Sequence, residues 1–168
     1  MFREMRRKKQ ELTTAERAEI LERGTSGVLA VSGDDGYPYA VPLSYVYADG
    51  RIYFHCAAAG HKTDALERCE KASFCVIDKD ETVPEKFTTL YRSVIVFGRV
   101  RTIADAAEKR AALETLAAKY SPDEPGLQAE VDGALGRVRM LVLEPEHATG
   151  KESIELAKRR AAADRTEA

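Results

Sequence analysis

The segment "GVLAVSGDDGYPYAVPLSYVYADGRIYFHC", running from Gly27 to Cys56, limits the possible folds more than any other part of the chain. It is rich in β-branched and aromatic residues, which suit a pleated, half-buried surface. Two clusters interrupt it, Gly33-Asp34-Asp35-Gly36 and Ala48-Asp49-Gly50, and both tolerate positive φ. Tight turns of this chemistry join antiparallel neighbours, so three consecutive antiparallel strands are expected. "ASFCVID", "YRSVIVFGRVRTI" and "GRVRMLVLEP" supply three more, with a polar loop around Pro84 between the first two. Six strands with short turns favour a small barrel, which leaves no open sheet edge.

Helical signals fall between and around these strands. Thr13 and Glu16 have the spacing of a capping box and open a helix over 14–23, with Gly24 at its end. "HKTDALERCEK" reads as a short helix, with Ala65, Leu66 and Cys69 on one face. "DAAEKRAALETLAAKY" is amphipathic, with Leu113 and Leu116 among its core contacts, and a short helix is expected near 127–134. "ATGKESIELAKRR" reads as a glycine-lysine turn followed by a last helix. The expected organisation is a basic arm over 1–12, one domain over 13–160 and a frayed tail over 161–168.

Bulk properties exclude several classes. The net charge of -2 over 168 residues gives general nucleic-acid binding no electrostatic support. No apolar run approaches the ~20 residues needed to span a bilayer, so no membrane partner is expected. Cys56, Cys69 and Cys75 are odd in number and lack CxxC spacing. They are read as small buried apolar residues in a reducing cytoplasm, with neither a disulfide framework nor a metal site. Asp34-Asp35 and the Asp78/Asp80 pair are read as solvated turn residues.

The chemistry concentrates at "FHCAAAGHKTDAL", Phe54–Leu66. GxGxxG, P-loop, HExxH and GxSxG patterns are absent from the chain. A helix that starts near Gly60 offers free N–H groups and a partial positive charge, which suit a phosphate. Gly60 permits close approach, Lys62 supplies countercharge, and His55 and His61 could donate. The competing reading is a solvated loop. Pro42, in "YAVPLSYVY", cannot donate to a ladder and marks an edge or bulge where neighbouring backbone groups are free to bind a flat ring. Tyr45 and Tyr47 are read as core or surface packing, the alternative being barrel wall or neighbours of a bound ring. Tyr91, Arg92 and Ser93 bring polar groups to the start of an apolar strand, while Arg99 and Arg101 alternate with Val100 toward solvent.

In this order and spacing, "GVLAVSGDDGYPYAVPLSYVY", "IYFHCAAAGHKTDAL", "YRSVIVFGRV" and "EHATGKES" resemble the FMN-binding split-barrel superfamily, the pyridoxamine 5'-phosphate oxidase-like group. Within it they are most similar to the 5-nitroimidazole-resistance type. The resemblance implies a mainly β (α+β) six-stranded antiparallel split barrel with peripheral helices, forming a homodimer with FMN at the interface. It implies that Val41, Pro42, Leu43 and Ser44 run beside the flavin ring, with His55 and Cys56 near the ring or ribityl chain. Gly60, His61 and Lys62 would hold the phosphate, and Tyr91, Arg92 and Ser93 would reach the flavin from the partner subunit. The implied activity is an FMN-dependent oxidoreductase that passes electrons from a reduced donor to a small flat acceptor such as a nitroaromatic, with His55 as catalytic proton donor. The alternatives are a non-enzymatic binding protein for flavin, haem or deazaflavin, or a pyridoxamine phosphate oxidase-like enzyme. For the last, Arg137, Arg139 and His147 offer no assignable substrate pattern.

Overall fold

A computed structural model describes residues 1–163. The strands are β1 (Ser26–Ser32), β2 (Pro38–Ser44), β3 (Val46–Ala48), β4 (Arg51–Ala57), β5 (Lys71–Val83), β6 (Thr88–Thr102) and β7 (Val138–Glu152). The helices are α1 (Thr14–Arg23), α2 (His61–Arg68), α3 (Ala106–Tyr120), α4 (Leu127–Ala134) and α5 (Ile154–Ala163). All pairings are antiparallel, in the order β2-β1-β5-β6-β7-β4-β3. This is the expected split barrel with peripheral helices. Among the described residues its strands number seven because "YAVPLSYVY" breaks at Tyr45 into β2 and β3.

That break closes the barrel. β2 and β3 lie at opposite ends of the strand order yet are joined through Tyr45 alone. The Tyr45 side chain is fully buried, its hydroxyl donating to Leu21 O at 2.8 Å. Its ring packs edge-on against Phe74 at 4.9 Å, and Phe74 does the same with Phe54 at 5.0 Å. Gly24 ends α1 in an extended conformation rather than a left-handed one. It is glycine because a Cβ there would lie 2.5 Å from the Tyr45 hydroxyl.

Two apolar cores result. Alternate residues of β4, Ile52, Phe54 and Cys56, point into the barrel with Leu29, Val76, Val96 and α1's Ile20 and Leu21. On the other side of the sheet, Leu113 and Leu116 of α3 and Val131 of α4 pack on Met140 and Val142 of β7. The capping box at Thr13 and Glu16 forms as expected, and Asp105 caps α3 by accepting from Glu108 N–H at 2.8 Å.

Several expectations change. Residues around Pro84 form a short turn between β5 and β6, not a loop, because both strands extend past the sheet as a two-stranded ribbon. Its charged residues hide the strand alternation. Asp78 is not a solvated turn residue: it lies in β5, paired with Arg23 at 2.5 Å. The "ATGKES" segment continues β7 instead of turning. Gly150 there lets the chain approach closely, since a Cβ would meet Arg17 Cγ at 2.7 Å and Leu12 Cβ at 2.9 Å. The basic arm is anchored at its end by buried Gln10 and Leu12. Of the 161–168 tail, 161–163 continue α5 and the rest lies outside the described residues. Among the described residues, no helix is long and apolar enough to cross a membrane.

Candidate functional site

The barrel is split between β2 and the second half of β4. β3 pairs with β4 only across Arg51–Tyr53, whereas β4 continues to Ala57 on β7. From Phe54 onward β4 therefore has no strand on its β3 side. β2 pairs with β1 and is the other edge of the sheet. Pro38 and Pro42 share one register phase on β2, opposite Ser32 and Val28. Proline has no N–H, so this phase directs its backbone groups away from β1. The carbonyls of Ala40 and Pro42 and the N–H groups of Ala40 and Ser44 thus lie along a free edge.

Alternation sorts the side chains. Val41 and Leu43 pack inward on the barrel core, while Pro42 and Ser44 are exposed on the outer side. On β4, His55 is exposed and Cys56 is buried in the core. Burial pushes the Cys56 thiol up, against the opposing pull of Lys62 and Arg139. Cys56 can therefore shape the wall but presents no thiolate.

α2 begins just past β4. Gly60 has φ 142, a value that disfavours other residues. It caps the helix without a side-chain hydrogen bond, and the space beside its Cα is open. The Gly60 carbonyl accepts from the Thr63 and Asp64 N–H groups, so His61 and Lys62 carry the orphan donors of the first turn. Lys62 is half-buried and makes no ion pair among the described residues. The His61 ring stacks on Tyr39 of β2 at 4.0 Å, and its Nε2 lies 3.4 Å from Asp34. Arg68 at the far end of α2 also reaches Asp34, at 2.6 Å. These contacts fasten α2 to the β1–β2 turn, so its positive end sits beside β2.

Tyr91, Arg92 and Ser93 form a separate group within the protomer. Arg92 pairs with Glu152 at 3.2 Å and Asp78 at 3.7 Å. Tyr91 accepts from Gln10 Nε2 at 3.4 Å, and Lys151 Nζ lies 5.3 Å from its ring. Ser93 is half-buried, opposite Ile77 and Lys151. Glu152 is 0% exposed, with Arg160 Nε 2.9 Å from its Oε1. That pair is close but poorly aligned, because Oε1 satisfies no hydrogen-bond geometry among the described residues. Nothing in the local sequence of "GKESIE" distinguishes Glu152 from a surface carboxylate.

A cleft of about 470 Å³ opens beside the α3–α4 pair where it meets the sheet. Ser44 and His55, one from each side of the split, lie in its wall with Leu116, Tyr120, Val131 and Arg137. Sequence reasoning singled out His55 and Ser44 but missed this cleft, whose apolar residues read simply as helix core. Arg139 pairs instead with Glu67 at 2.8 Å, and His147 stacks on Phe2 with ring centroids 4.7 Å apart. Arg99 and Arg101 face outward in ion pairs with Glu146 and Glu108.

Comparisons with known proteins agree with this architecture. A family model described as pyridoxamine 5'-phosphate oxidase matches residues 13–152. A conserved hypothetical protein from Mycobacterium tuberculosis superposes with a TM-score of 0.78 at 20% identity, over 91% of this chain and 92% of that one. A candidate 5-nitroimidazole antibiotic resistance protein from Bacteroides thetaiotaomicron gives 0.72 at 22% identity, over 84% and 86%. A FAD-binding protein from Mesorhizobium loti gives 0.62 at 25% identity, over 86% and 97%. No curated protein matches the sequence.

Proposed function

The chain belongs to the pyridoxamine 5'-phosphate oxidase family, and from that premise we propose that it is an FMN-binding oxidoreductase acting as a homodimer. The observation that carries this reading is the split itself: an unpaired β2 edge, His55 across from it, and the open N-terminus of α2 beside it. These groups fit a flavin monophosphate. Free backbone donors and acceptors on β2 match the alternating edge of the flavin ring. The orphan N–H groups of His61 and Lys62, with the Lys62 ammonium, match a phosphate. The relative from Mesorhizobium loti binds FAD. FMN is the assignment here because the phosphate donors stand directly beside the ring edge.

When bound, the flavin supplies reversible electron and hydride transfer between a reduced donor and an acceptor. The protein's part is positional. Pro42 keeps the β2 edge unpaired, Val41 and Leu43 anchor that strand in the core, and Cys56 closes the wall. His55, exposed beside the split, is assigned as proton donor, since imidazole exchanges a proton near neutral pH.

The dimer reading rests on one outer face of the sheet. Pro42, Val28, Cys75, Ile95 and Thr149 form a row across five strands, and Ala40, Ala30, Ser73, Phe97 and His147 form the next. None of these side chains is acidic or lysine- or arginine-like, and none is fully buried. An uncharged, solvent-facing surface of this extent marks an interaction site, and an isologous pair of such faces closes as a dimer. Tyr91, Arg92 and Ser93 border it and are assigned to the partner's flavin.

The experiment is spectral and kinetic. Purified protein titrated with FMN should bind it stoichiometrically and, after anaerobic reduction, should be reoxidised by a nitroaromatic faster than free FMN is. A haem Soret band or a deazaflavin spectrum would move the protein to the binding-module reading. Reoxidation no faster than that of free FMN would remove the enzymatic claim.

A further inference from the structure

The β5–β6 ribbon leaves one of its faces bare. From Asp80 opposite Tyr91 to Val83 opposite Thr88, the two strands pair only with each other among the described residues. Residues directly opposite share a face. Ile77 with Ser93, Asp80 with Tyr91, and Thr82 with Thr89 therefore extend the outer side of the sheet beyond Cys75 and Ile95. Lys79, Glu81, Leu90 and Arg92 fall on the other side. There Leu90 is buried, α5 packs beside β6, and the Ser153 N–H donates to Tyr91 O at 2.9 Å. The outer side has no such backing: Ile77 is 64% exposed, and Phe87 in the turn is 99% exposed. A shallow groove of about 600 Å³ along it is lined by Thr82, Pro84, Phe87, Thr88, Thr89 and Tyr91, all uncharged. Asp80 and Lys151 flank Tyr91 with one charge of each sign, and neither makes an ion pair among the described residues.

Phe87 is a residue the turn itself does not need. It holds a left-handed conformation, φ 49 and ψ 41, where glycine and asparagine are at ease and a bulky side chain is strained. Its ring gains no burial in return within the protomer. We propose that the ribbon is a clasp laid across a second copy of this chain, with Phe87 as its anchor at the rim of the partner's flavin site. This rests on the dimer and flavin reading and adds the element that locks the pair. Three observations favour a second copy as the occupant. The bare side of the ribbon runs without a break into the uncharged rows at Cys75 and Ile95, so one surface serves both. Asp80 and Lys151 give that surface opposite charges, which a twofold contact can pair across its axis. The reach also fits. Ile95 to Phe87 spans roughly 27 Å at ~3.4 Å per residue, beyond the ~15 Å radius of gyration of a chain this long. Tyr91, Arg92 and Ser93 of the same ribbon are assigned to the partner's flavin, and Phe87 follows about 14 Å further on. An exposed aromatic that becomes buried on association is a common anchor of interfaces.

Phe87→Asn tests this, because asparagine suits the left-handed turn and leaves the protomer's fold unburdened. Sedimentation equilibrium of the FMN-loaded protein should show a dimer dissociation constant raised about tenfold or more, the scale of an aromatic anchor. At concentrations where both proteins are dimeric, Phe87→Asn should also release FMN faster than the parent. A second variant, Phe87→p-benzoylphenylalanine, keeps an aromatic ring at the tip and makes it photoreactive. Irradiation should give a covalent dimer on a denaturing gel. A parent dimer whose dissociation constant is unchanged in Phe87→Asn, or irradiation that leaves only single chains, would overturn the clasp and leave the dimer reading standing. Unchanged FMN release would overturn the contact at the partner's flavin rim. A parent chain that binds FMN and stays monomeric would remove the dimer reading itself, and the clasp with it.

Discussion

The Tyr120 hydroxyl accepts a hydrogen bond from the Tyr45 backbone N–H at 2.9 Å. It also contacts the carbonyls of Tyr45 and Thr25. A side chain at the end of α3 thus satisfies the backbone where the strand leaves β1's side of the sheet and crosses to β4. Tyr120→Phe leaves the part-buried Tyr45 N–H without its acceptor. The expected loss is about 1–3 kcal/mol, the cost of an unmade buried hydrogen bond, read as a lower urea midpoint at unchanged m-value.

Lys62 makes no ion pair among the described residues, so its removal should not unfold the chain. Lys62→Ala should weaken FMN binding by about 1.5–3 kcal/mol, the scale of a hydrogen bond to a charged group. Calorimetric titration checks this, and an unchanged affinity would place the phosphate elsewhere.

Arg160 reaches Glu16 at 2.7 Å, the buried Glu152 at 2.9 Å and Glu11 O at 3.0 Å. One guanidinium therefore ties α5 to the arm, α1 and β7. Breaking a fully buried pair costs about 3–5 kcal/mol, and partial exposure of Arg160 reduces the expected cost of Arg160→Ala to roughly 2–3 kcal/mol. Chemical denaturation measures it, and a change below about 0.5 kcal/mol, typical of neutral surface positions, would contradict the assignment.

Burial acts to raise the Glu16 carboxyl, but the hydrogen bonds from Thr13 and the charge of Arg160 outweigh it and hold the group below its ordinary value of 4.5. A lowered folded-state value stabilises the fold at pH above the unfolded value. That contribution is lost as pH falls through the folded value. Glu16→Gln should therefore be less stable than the parent at pH 7, and the gap should close below about pH 4, within the usual carboxylate range. Thermal melts across pH 2–7, a range set around that value, follow the gap. A constant gap would mean that packing, not charge, carries the effect.

Ile95 stands beside the middle residue, Cys75, of the uncharged row on the outer sheet face and is part-exposed. Ile95→Arg places a charge at the centre of the proposed self-complementary surface. Sedimentation should show a dimer for the parent chain and a monomer for the variant, with FMN affinity lowered because partner groups are withdrawn. A dimeric variant would move the interface to another face.

Local chemistry made much of the fold legible. The capping box at Thr13 and Glu16, the helix over 127–134 and the turns at Asp35 and Asp49 depend on residues a few positions apart, and each formed where its spacing indicated. The open cap at Gly60 was legible for the same reason, because the glycine, the orphan donors and Lys62 are neighbours in sequence. The end of β5 and the start of β6 were not, since charged residues on a ribbon outside the sheet erase the alternation that marks a strand, and the second half of β7 was not, since its glycine and lysine read locally as a turn.

The sequence alone determined the helices and the central part of most strands, and that Pro42 must stand where no ladder partner needs its N–H. Only the tertiary structure decided that β2 and β3 separate at Tyr45, that His55 and Ser44 meet at one cleft, and that Glu152 is buried between Arg92 and Arg160. The physical reason is range. Turns, caps and alternation are set by steric and hydrogen-bonding preferences within a few residues. Register and burial are set by which distant faces can exclude water together, and no short stretch of chain records that.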